Sequence, residues 1–330
     1  MTTPSLRMTA QDWGLLVLLS VLWGGSFMFV GLAVRELPPL VIVLARVWIA
    51  AFALLLLHRL LQGPLPRDRR SWESFAVMAF INNVIPFSLF TYGQTMVTGG
   101  LAAVINATTP FFALSVLAIA GEERFELRKV FGIIIGVLGV AVIKGFTLLG
   151  EGTQSLGILL CLAASASYGF ASLWAKKRLM RIPPLTIATG QLSCSAVYMT
   201  VIAFVFDTPS RLLGASTLSW LAIFGLALLS TALAYIVYFR LVTHAGPANA
   251  QLVTMLIPVS AILLGYASCL KPSRHAKLSA PPSSLWPWRS SMAACCNYSG
   301  SARTPPVSGC GTRVVPGNVM ARPRFDLTAR

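Results

Sequence analysis

Long apolar runs separated by short polar segments make up the first 266 residues of the chain. A helix needs about 20 mostly apolar residues to cross the hydrocarbon core of a bilayer, which is about 30 Å thick. Nine runs are close to that length, at residues 13–33, 40–57, 72–92, 99–120, 130–146, 155–175, 185–206, 217–239 and 246–266. The first run lacks a small-residue cleavage site, so we interpret it as a retained helix. The pattern predicts an all-α integral membrane protein with nine transmembrane helices.

The apolar runs form two copies of one membrane unit. The matching segments are Leu19–Ser26 with Ala164–Ala171, Leu37–Leu40 with Ile182–Leu185, and Val104–Pro110 with Leu252–Pro258. The first two pairs are offset by 145 residues and the third by 148. Because the first copy holds five runs, an odd number, the second copy is expected to cross the membrane in the opposite direction. Such inverted repeats place a binding site near the middle of the membrane, between the two copies.

The second copy lacks the apolar run that would form its fifth helix. The predicted organisation is a cytoplasmic N-terminus (1–12), a first repeat of five helices (13–146), a linker (147–154), a second repeat of four helices (155–266) and a tail of low order (267–330). The tail contains no run of even 15 apolar residues, and its nine Lys or Arg residues stand against the single acid Asp326. Two interpretations remain open: a frameshift near codon 266 or 267, and a genuine disordered extracytoplasmic tail.

Composition and charge agree with a membrane protein. The chain is 56% hydrophobic and 11% charged, whereas a soluble domain carries roughly 25% charged residues. With a cytoplasmic N-terminus, the basic residues of the inner loops are Arg7, His58, Arg59, Arg67, Arg69, Arg70, Arg124, Arg128, Lys129, Lys176, Lys177, Arg178, Arg181 and Arg240. Before the tail, the outer loops hold Arg35, Lys144 and Arg211. This asymmetry follows the positive-inside rule, so membrane topology explains the net charge of +16 and no nucleic-acid partner is expected.

Several short segments resemble those of the EamA-like family, part of the drug/metabolite transporter superfamily. They are Trp23-Gly-Gly-Ser-Phe27, Pro38-Pro-Leu40, Arg46, Asn106-Ala-Thr-Thr-Pro110, Gly121-Glu122 and Gly132-Ile-Ile-Ile-Gly-Val-Leu-Gly139. The resemblance implies ten helices in two inverted repeats of five and transport of small metabolites such as amino acids. The 148-residue offset between the copies predicts a second Gly-Glu pair near residues 269 and 270, where this chain has Cys269 and Leu270.

Polar groups within the runs indicate a substrate pathway, because they are costly in a bilayer unless they face protein or water. The predicted pathway residues are Trp23, Ser26, Arg46, Asn82, Asn83, Pro86, Asn106, Thr109, Pro110, Tyr168, Gln191, Tyr235, Gln251, Thr254 and Pro258. Arg46 is expected to hold a substrate carboxylate through two hydrogen bonds. The alternatives are an Arg46 that extends to the membrane interface, amides that only join helices, and aromatic rings that only fill the core.

Two proline-containing faces recur at equivalent places in the copies. Asn106, Thr109 and Pro110 share one helix face, as do Gln251, Thr254 and Pro258 of the second copy. In the third run, Pro86 is expected to free the carbonyl of Asn82, four residues back. Freed backbone groups at membrane depth are tolerated beside a cavity or a neighbouring helix. These features favour a central pathway.

Enzymatic chemistry has little support in the sequence. It contains no H-E-x-x-H or G-x-S-x-G motif and no paired C-x-x-C motifs, so we expect no catalytic residues, no metal and no cofactor. The predicted function is export of small metabolites from a cell by alternating access in the inner membrane. The expected partners are a small-molecule substrate and the lipid bilayer, and a homodimer is left open. The alternative is a non-transporting membrane protein, since the tenth helix is missing.

Overall fold

The computed structural model describes residues 8–122, 153–245, 250 and 252–269. Within these residues the regular structure consists of helices and contains no strand. The helices are α1 (Ala10–Ala33), α2 (Pro39–Leu61), α3 (Arg69–Gly93), α4 (Gly99–Ile119), α5 (Thr153–Arg178), α6 (Pro184–Phe206), α7 (Thr217–Phe224, Gly225–Leu233 and Ala234–Ala245 in succession) and α8 (Val253–Cys269). A short 3-10 helix, Pro209–Gly214, connects α6 to α7. The predicted all-helical class is confirmed.

Seven of the described helices, α1 to α7, are long and apolar enough to cross a membrane. The apolar part of α8, Val253–Tyr266, is shorter. The predicted helix at 130–146 and the tail from 270 onward lie outside the described residues. The predicted count of nine transmembrane helices is therefore not confirmed.

The Pro-Pro pairs set the starts of α2 and α6. Pro39 and Pro184 each occupy the first position of their helix, where a missing N–H costs nothing and the fixed φ angle favours helix. The preceding prolines, Pro38 and Pro183, have extended ψ angles of 146° and 136°. The same dipeptide thus begins the second long helix of both copies, as the 145-residue offset predicts.

Corresponding helices of the two copies pack against each other in the interior. Along α2, Val43, Val47 and Leu54 join one buried apolar cluster with Leu192 and Met199 of α6. Burial of such side chains against protein rather than lipid is not favoured by hydrophobicity itself, because lipid chains are equally apolar. Close van der Waals packing and hydrogen bonds between the helices therefore hold this pair together.

Large apolar side chains cover the outer surface of the bundle. Phe52 and Leu60 of α2 are 71% and 73% exposed, and Phe204 of α6 is 67% exposed. An exposed apolar surface of this kind belongs in a bilayer, since a soluble protein would hide most of it. The outer face supports the assignment of the bundle to a membrane.

The loop after α1 contacts the first turn of α7. The carboxylate of Glu36 accepts hydrogen bonds from the Ser216 N–H (2.9 Å), from Ser216 Oγ (2.6 Å) and from Ser219 Oγ. Ser216 is also the N-cap of α7, where its Oγ accepts from the Ser219 N–H. The hydroxyl groups of Ser216 and Ser219 hold the pKa of Glu36 below its ordinary value of 4.5. The contact joins the two copies outside the apolar core.

Stability should depend on the charge of Glu36 in a defined pH range. A carboxyl whose pKa is lowered by folding stabilises the folded state above its unfolded-state pKa, and that stabilisation is lost as pH falls through the folded-state value. The apparent Tm of Glu36→Ala should therefore be below that of the wild type from pH 7 to about 4.5, with the difference shrinking at lower pH. Glu73→Ala removes an exposed ion pair with Arg69 and should change Tm little. A difference for Glu36→Ala that grows as pH falls contradicts the assignment.

Candidate substrate-binding site

Arg46 lies inside the bundle, on α2, with 8% of its surface exposed. Its Nε donates a hydrogen bond to Thr231 Oγ1 of α7 at 2.9 Å. Its guanidinium carbon is 3.7 Å from the centroid of the Phe87 ring of α3, a distance at which a cation is attracted to the ring face. The side chain is thus held between helices of both copies.

No carboxylate pairs with Arg46 in the part of the chain that the structure describes. The ion pairs there join Arg69 to Glu73, and Lys176 and Lys177 to Glu122. The ionisable side chains that interact electrostatically with Arg46 are Tyr168 and Tyr235, which are uncharged near neutral pH. A buried cation without a counter-charge is costly, so the site is suited to a ligand that brings a negative charge.

Five polar side chains of three helices form a network that we call the amide cluster: Asn82, Asn83, Gln191, Ser195 and Tyr235. Asn82 Nδ2 donates to Gln191 Oε1 at 3.2 Å and to the Tyr235 hydroxyl at 3.5 Å. The Tyr235 hydroxyl donates to Asn83 Oδ1 at 3.3 Å, and Asn83 Nδ2 donates to Ser195 Oγ at 2.9 Å. The cluster joins α3 of the first copy to α6 and α7 of the second. Its donors and acceptors are the kind that orient a polar ligand.

A π-helical segment in α3, Phe80–Val84, sets the backbone geometry beside the amide cluster. The residue before Pro86 donates its N–H to a carbonyl five residues back. Pro86 has no N–H, so in the same pattern the carbonyl left without a backbone donor is that of Ile81. Ser167 Oγ of α5 donates to this carbonyl at 2.6 Å. The Ile81 carbonyl is one residue before the Asn82 carbonyl that the sequence predicts to be freed by Pro86, and the release of the Asn82 carbonyl stays a prediction.

A second π-helical segment, Gly225–Leu233, lies in α7. It begins 145 residues after the segment in α3, which is the offset between the two copies. Thr231 stands where Pro86 stands in the first copy, and its Oγ1 donates to the Leu226 carbonyl five residues back, at 2.8 Å. The same oxygen accepts from Arg46. π-helical segments occur frequently at functional sites, and here both flank the polar interior.

Aromatic rings cover the apolar side of the interior. Trp23 of α1 lies 5.5 Å from Tyr238 of α7 between ring centroids. Tyr168 of α5 stacks on Phe90 of α3 at 6.3 Å, and Phe90 meets the edge of Phe27 at 5.8 Å. Such pairs add roughly 0.5–1.5 kcal/mol beyond their buried area. The rings form an aromatic wall that includes Tyr168, which interacts electrostatically with Arg46.

Both parts of the chain match one family. Residues 13–145 and 155–272 match the model of the EamA-like transporter family. The chain belongs to the EamA-like transporter family. It is 24% identical to the Uncharacterized transporter YoaV of Bacillus subtilis strain 168, over 76% of this chain and 86% of that one. It is 28% identical to the Uncharacterized inner membrane transporter YedA of Escherichia coli strain K12, over 76% and 81%.

The fold also has a counterpart among solved structures. One crystal structure superposes on this EamA-like transporter with a TM-score of 0.60 and 15% identity, covering 86% of this chain and 94% of the other. At that identity the likeness shows the fold alone. The family match and the seven long apolar helices identify a multi-pass membrane transporter.

The predicted pathway residues of this EamA-like transporter fall into separate groups. Arg46, Asn82, Asn83, Gln191 and Tyr235 lie where helices of the two copies meet, and Tyr168 interacts electrostatically with Arg46. A second group interrupts α4: Thr109 Oγ1 donates to Asn106 Oδ1 at 3.3 Å, and Pro110 is in the first turn of the segment Thr109–Ile119. The structure does not join this group to the amide cluster by a hydrogen bond between described residues.

A third group lies at the contact of α1 and α8. Ser26 Oγ donates to the carbonyl of Trp23 at 2.6 Å, and Thr254 is buried. Pro258 lies inside α8. Gln251 lies outside the described residues.

Sequence reasoning missed four residues of the site: Thr231, Phe87, Ser195 and Ser167. Thr231 could have been identified from the sequence, because the 145-residue offset makes it the equivalent of Pro86 in the second copy. Ser195 follows Gln191 by four residues and therefore shares its helix face. Phe87 and Ser167 carried no such signal, since a phenylalanine or serine in an apolar helix has no distinctive pattern.

Proposed function

We propose that this protein exports small metabolites bearing a carboxylate, amino acids among them, across the inner membrane. The observation that carries the proposal is Arg46, a buried cation with no carboxylate partner among the described residues. The printed name of the relative YedA, an inner membrane transporter, supports the location. The positive-inside pattern of the loops supports a cytoplasmic N-terminus.

Substrate binding would use the edge of the guanidinium group that carries its two terminal nitrogens. Nε is occupied by Thr231, while the two terminal nitrogens carry four of the five N–H donors of an arginine. A carboxylate accepts two parallel hydrogen bonds from such a group. The ring of Phe87 covers one face of the cation, so the carboxylate approaches in the guanidinium plane. Asn82, Gln191 and Tyr235 would exchange some of the hydrogen bonds of the amide cluster for bonds to the amino or other polar groups of the substrate.

Movement would consist of rocking one five-helix repeat against the other, with the repeats in opposite orientation. The hydrogen bonds Arg46–Thr231 and Asn82–Gln191 connect the copies and are at the interface that such a motion opens. When substrate binds, these side chains would exchange bonds to each other for bonds to the substrate. The buried polar groups then stay paired with and without substrate. Inverted repeats with polar residues at the midplane are the arrangement found in many alternating-access transporters.

A vesicle assay tests the function and the amide cluster together. Purified protein is reconstituted into liposomes loaded with a mixture of amino acids and simple carboxylates, and efflux is followed by mass spectrometry. Gln191→Ala should reduce efflux about tenfold, because a buried polar group of the substrate or of Asn82 is left unpaired. Thr200→Ala is the matched control on the same helix, since its hydroxyl accepts from Trp48 on the exposed side. Wild-type efflux no faster than from empty liposomes favours the non-transporting alternative.

We also propose that the reading frame changes near codon 266. The observations that support it are Cys269 and Leu270 in place of the expected Gly-Glu pair and a family match that ends at residue 272. Resequencing from codon 255 past the stop codon and translating all three frames should reveal an apolar run of about 20 residues, the length of a transmembrane helix, that begins after Gly-Glu. If no frame contains it, the tail is a genuine part of the protein.

A further inference from the structure

A cavity of about 220 Å³ lies between the first turns of α3 and the last turns of α5. Its lining residues are Arg70, Glu73, Ser74 and Val77 of α3, and Trp174 and Arg178 of α5. The α3 residues follow the spacing i, i+3, i+4 and i+7, so they share one helix face. The cavity shares no lining residue with the amide cluster, and Arg70 lies in the first turn of α3, more than ten residues before Asn82.

Two arginines bring positive charge to this cavity from two different helices. The guanidinium carbon of Arg178 lies 5.5 Å from the centroid of the Trp174 ring, within the range of a cation–π contact. The indole itself is fixed, because Trp174 Nε1 donates to the Ser74 carbonyl at 3.1 Å. Ser74 Oγ in turn donates to the Arg70 carbonyl at 2.9 Å. The wall between the two arginines is therefore held by hydrogen bonds, one of which joins α3 to α5.

The lining contains two arginines and one acid, Glu73. Glu73 pairs with Arg69, which is outside the lining, at 2.8 Å. Neither Arg70 nor Arg178 takes part in an ion pair recorded between described residues. The cavity therefore carries excess positive charge, and guanidinium groups bind phosphate through paired hydrogen bonds.

Along α3, the exposed side chains become apolar from Arg70 toward the membrane interior. Val77 lies seven residues after Arg70, or about 10 Å farther along a helix axis. Val77 is 38% exposed and Phe80, one turn farther, is 45% exposed. Trp174 stands beside the boundary, where tryptophan is enriched in membrane proteins. A ligand that fits this order has an anionic head and an apolar tail.

We propose that this cavity binds the phosphate group of an acidic phospholipid, with the acyl chains along Val77 and Phe80. Arg70 and Arg178 clamp the phosphate, and the Trp174 indole borders the glycerol region. In the orientation proposed above, the site faces the cytoplasmic leaflet. The binding itself is independent of whether the protein transports a substrate, so a failure of the efflux assay leaves this site to be judged by lipid binding alone.

Native mass spectrometry of the purified full chain in neutral detergent tests the site. The protein is titrated with phosphatidylglycerol and, separately, with phosphatidylcholine. We expect tighter binding of the first phosphatidylglycerol molecule than of phosphatidylcholine. The double variant Arg70→Gln/Arg178→Gln should weaken that binding about tenfold or more, since it removes both guanidinium groups that bind the phosphate.

The control double variant Arg67→Gln/Arg181→Gln removes the same charge from exposed residues outside the cavity lining. It should keep phosphatidylglycerol binding within about twofold of the wild type, a factor small beside the effect of the two cavity arginines. Equal loss in both double variants would mean that net charge alone attracts the lipid, and would overturn the site.

Inorganic phosphate at millimolar concentration should not displace the lipid. Full displacement by phosphate would identify a soluble anion as the ligand and overturn the lipid assignment. An unchanged Tm of the cavity variant without lipid excludes misfolding as the cause.

Discussion

Arg46→Gln should reduce the efflux of carboxylate substrates about 100-fold in reconstituted vesicles. Removing one partner of a buried charge pair costs about 2–5 kcal/mol, and about 2.7 kcal/mol corresponds to a factor of 100. The glutamine keeps a polar side chain beside Thr231 and Phe87, so the change removes charge more than volume. The measurement is the initial efflux rate for each loaded carboxylate.

Two further variants separate the charge of Arg46 from its geometry. Arg46→Lys keeps the charge but loses the planar pair of donors, so its efflux rate should lie between those of the wild type and Arg46→Gln. The Tm of Arg46→Gln should equal or exceed that of the wild type, because a buried charge without a carboxylate partner destabilises the folded state. Full transport by Arg46→Gln would show that substrate does not bind to this guanidinium. A large fall in Tm would show that Arg46 has a structural role instead.

Gly24→Ala should destabilise the protein by about 1–3 kcal/mol, the range for added volume in a packed interior. Gly24 belongs to the Trp-Gly-Gly-Ser segment of α1 and faces α8. A Cβ at this position would lie 2.7 Å from Ser260 Cβ and 2.9 Å from the backbone nitrogen of Ala261. The backbone of α8 cannot rotate away as a side chain can, so the helices must separate. The loss includes the hydrogen bond between Ser20 Oγ and Ser260 Oγ, which are 2.7 Å apart.

Gly31→Ala provides the control on the same helix. A Cβ there meets nothing within 4 Å, and alanine is favoured over glycine in a helix by up to about 1 kcal/mol. Thermal unfolding in detergent should give a lower apparent Tm for Gly24→Ala and an unchanged or higher one for Gly31→Ala. Equal behaviour of the two variants would contradict the close approach of α1 and α8.

The helical elements were largely predictable because a membrane limits the choices. Backbone polar groups in hydrocarbon must bond within their own segment, so each long apolar run has to be a helix. The Pro-Pro pairs at Pro39 and Pro184 then fixed two helix starts. Prediction was weakest where a run was short or interrupted, as at α4, where the chain breaks between Asn106 and Thr109.

The sequence predicted the individual residues of the site better than it predicted which of them pair. Arg46, Asn82, Asn83, Gln191 and Tyr235 stand out because they are polar within apolar helices. Their pairing did not follow from the sequence, because Asn82 and Gln191 are 109 residues apart. The partners Thr231 and Phe87 look like ordinary residues of their helices.

The sequence by itself determined the membrane class, the helical elements, the two copies and the polar positions, since all of these depend on local composition and on spacing along the chain. The tertiary structure alone decided which helix faces meet, that Thr231 and Phe87 hold Arg46, and that Ser167 bonds the Ile81 carbonyl. The physical reason is that lipid and protein interiors are equally apolar. Hydrophobic periodicity therefore carries little information about the inward face of a membrane helix, which is set by packing and by hydrogen bonds between distant residues.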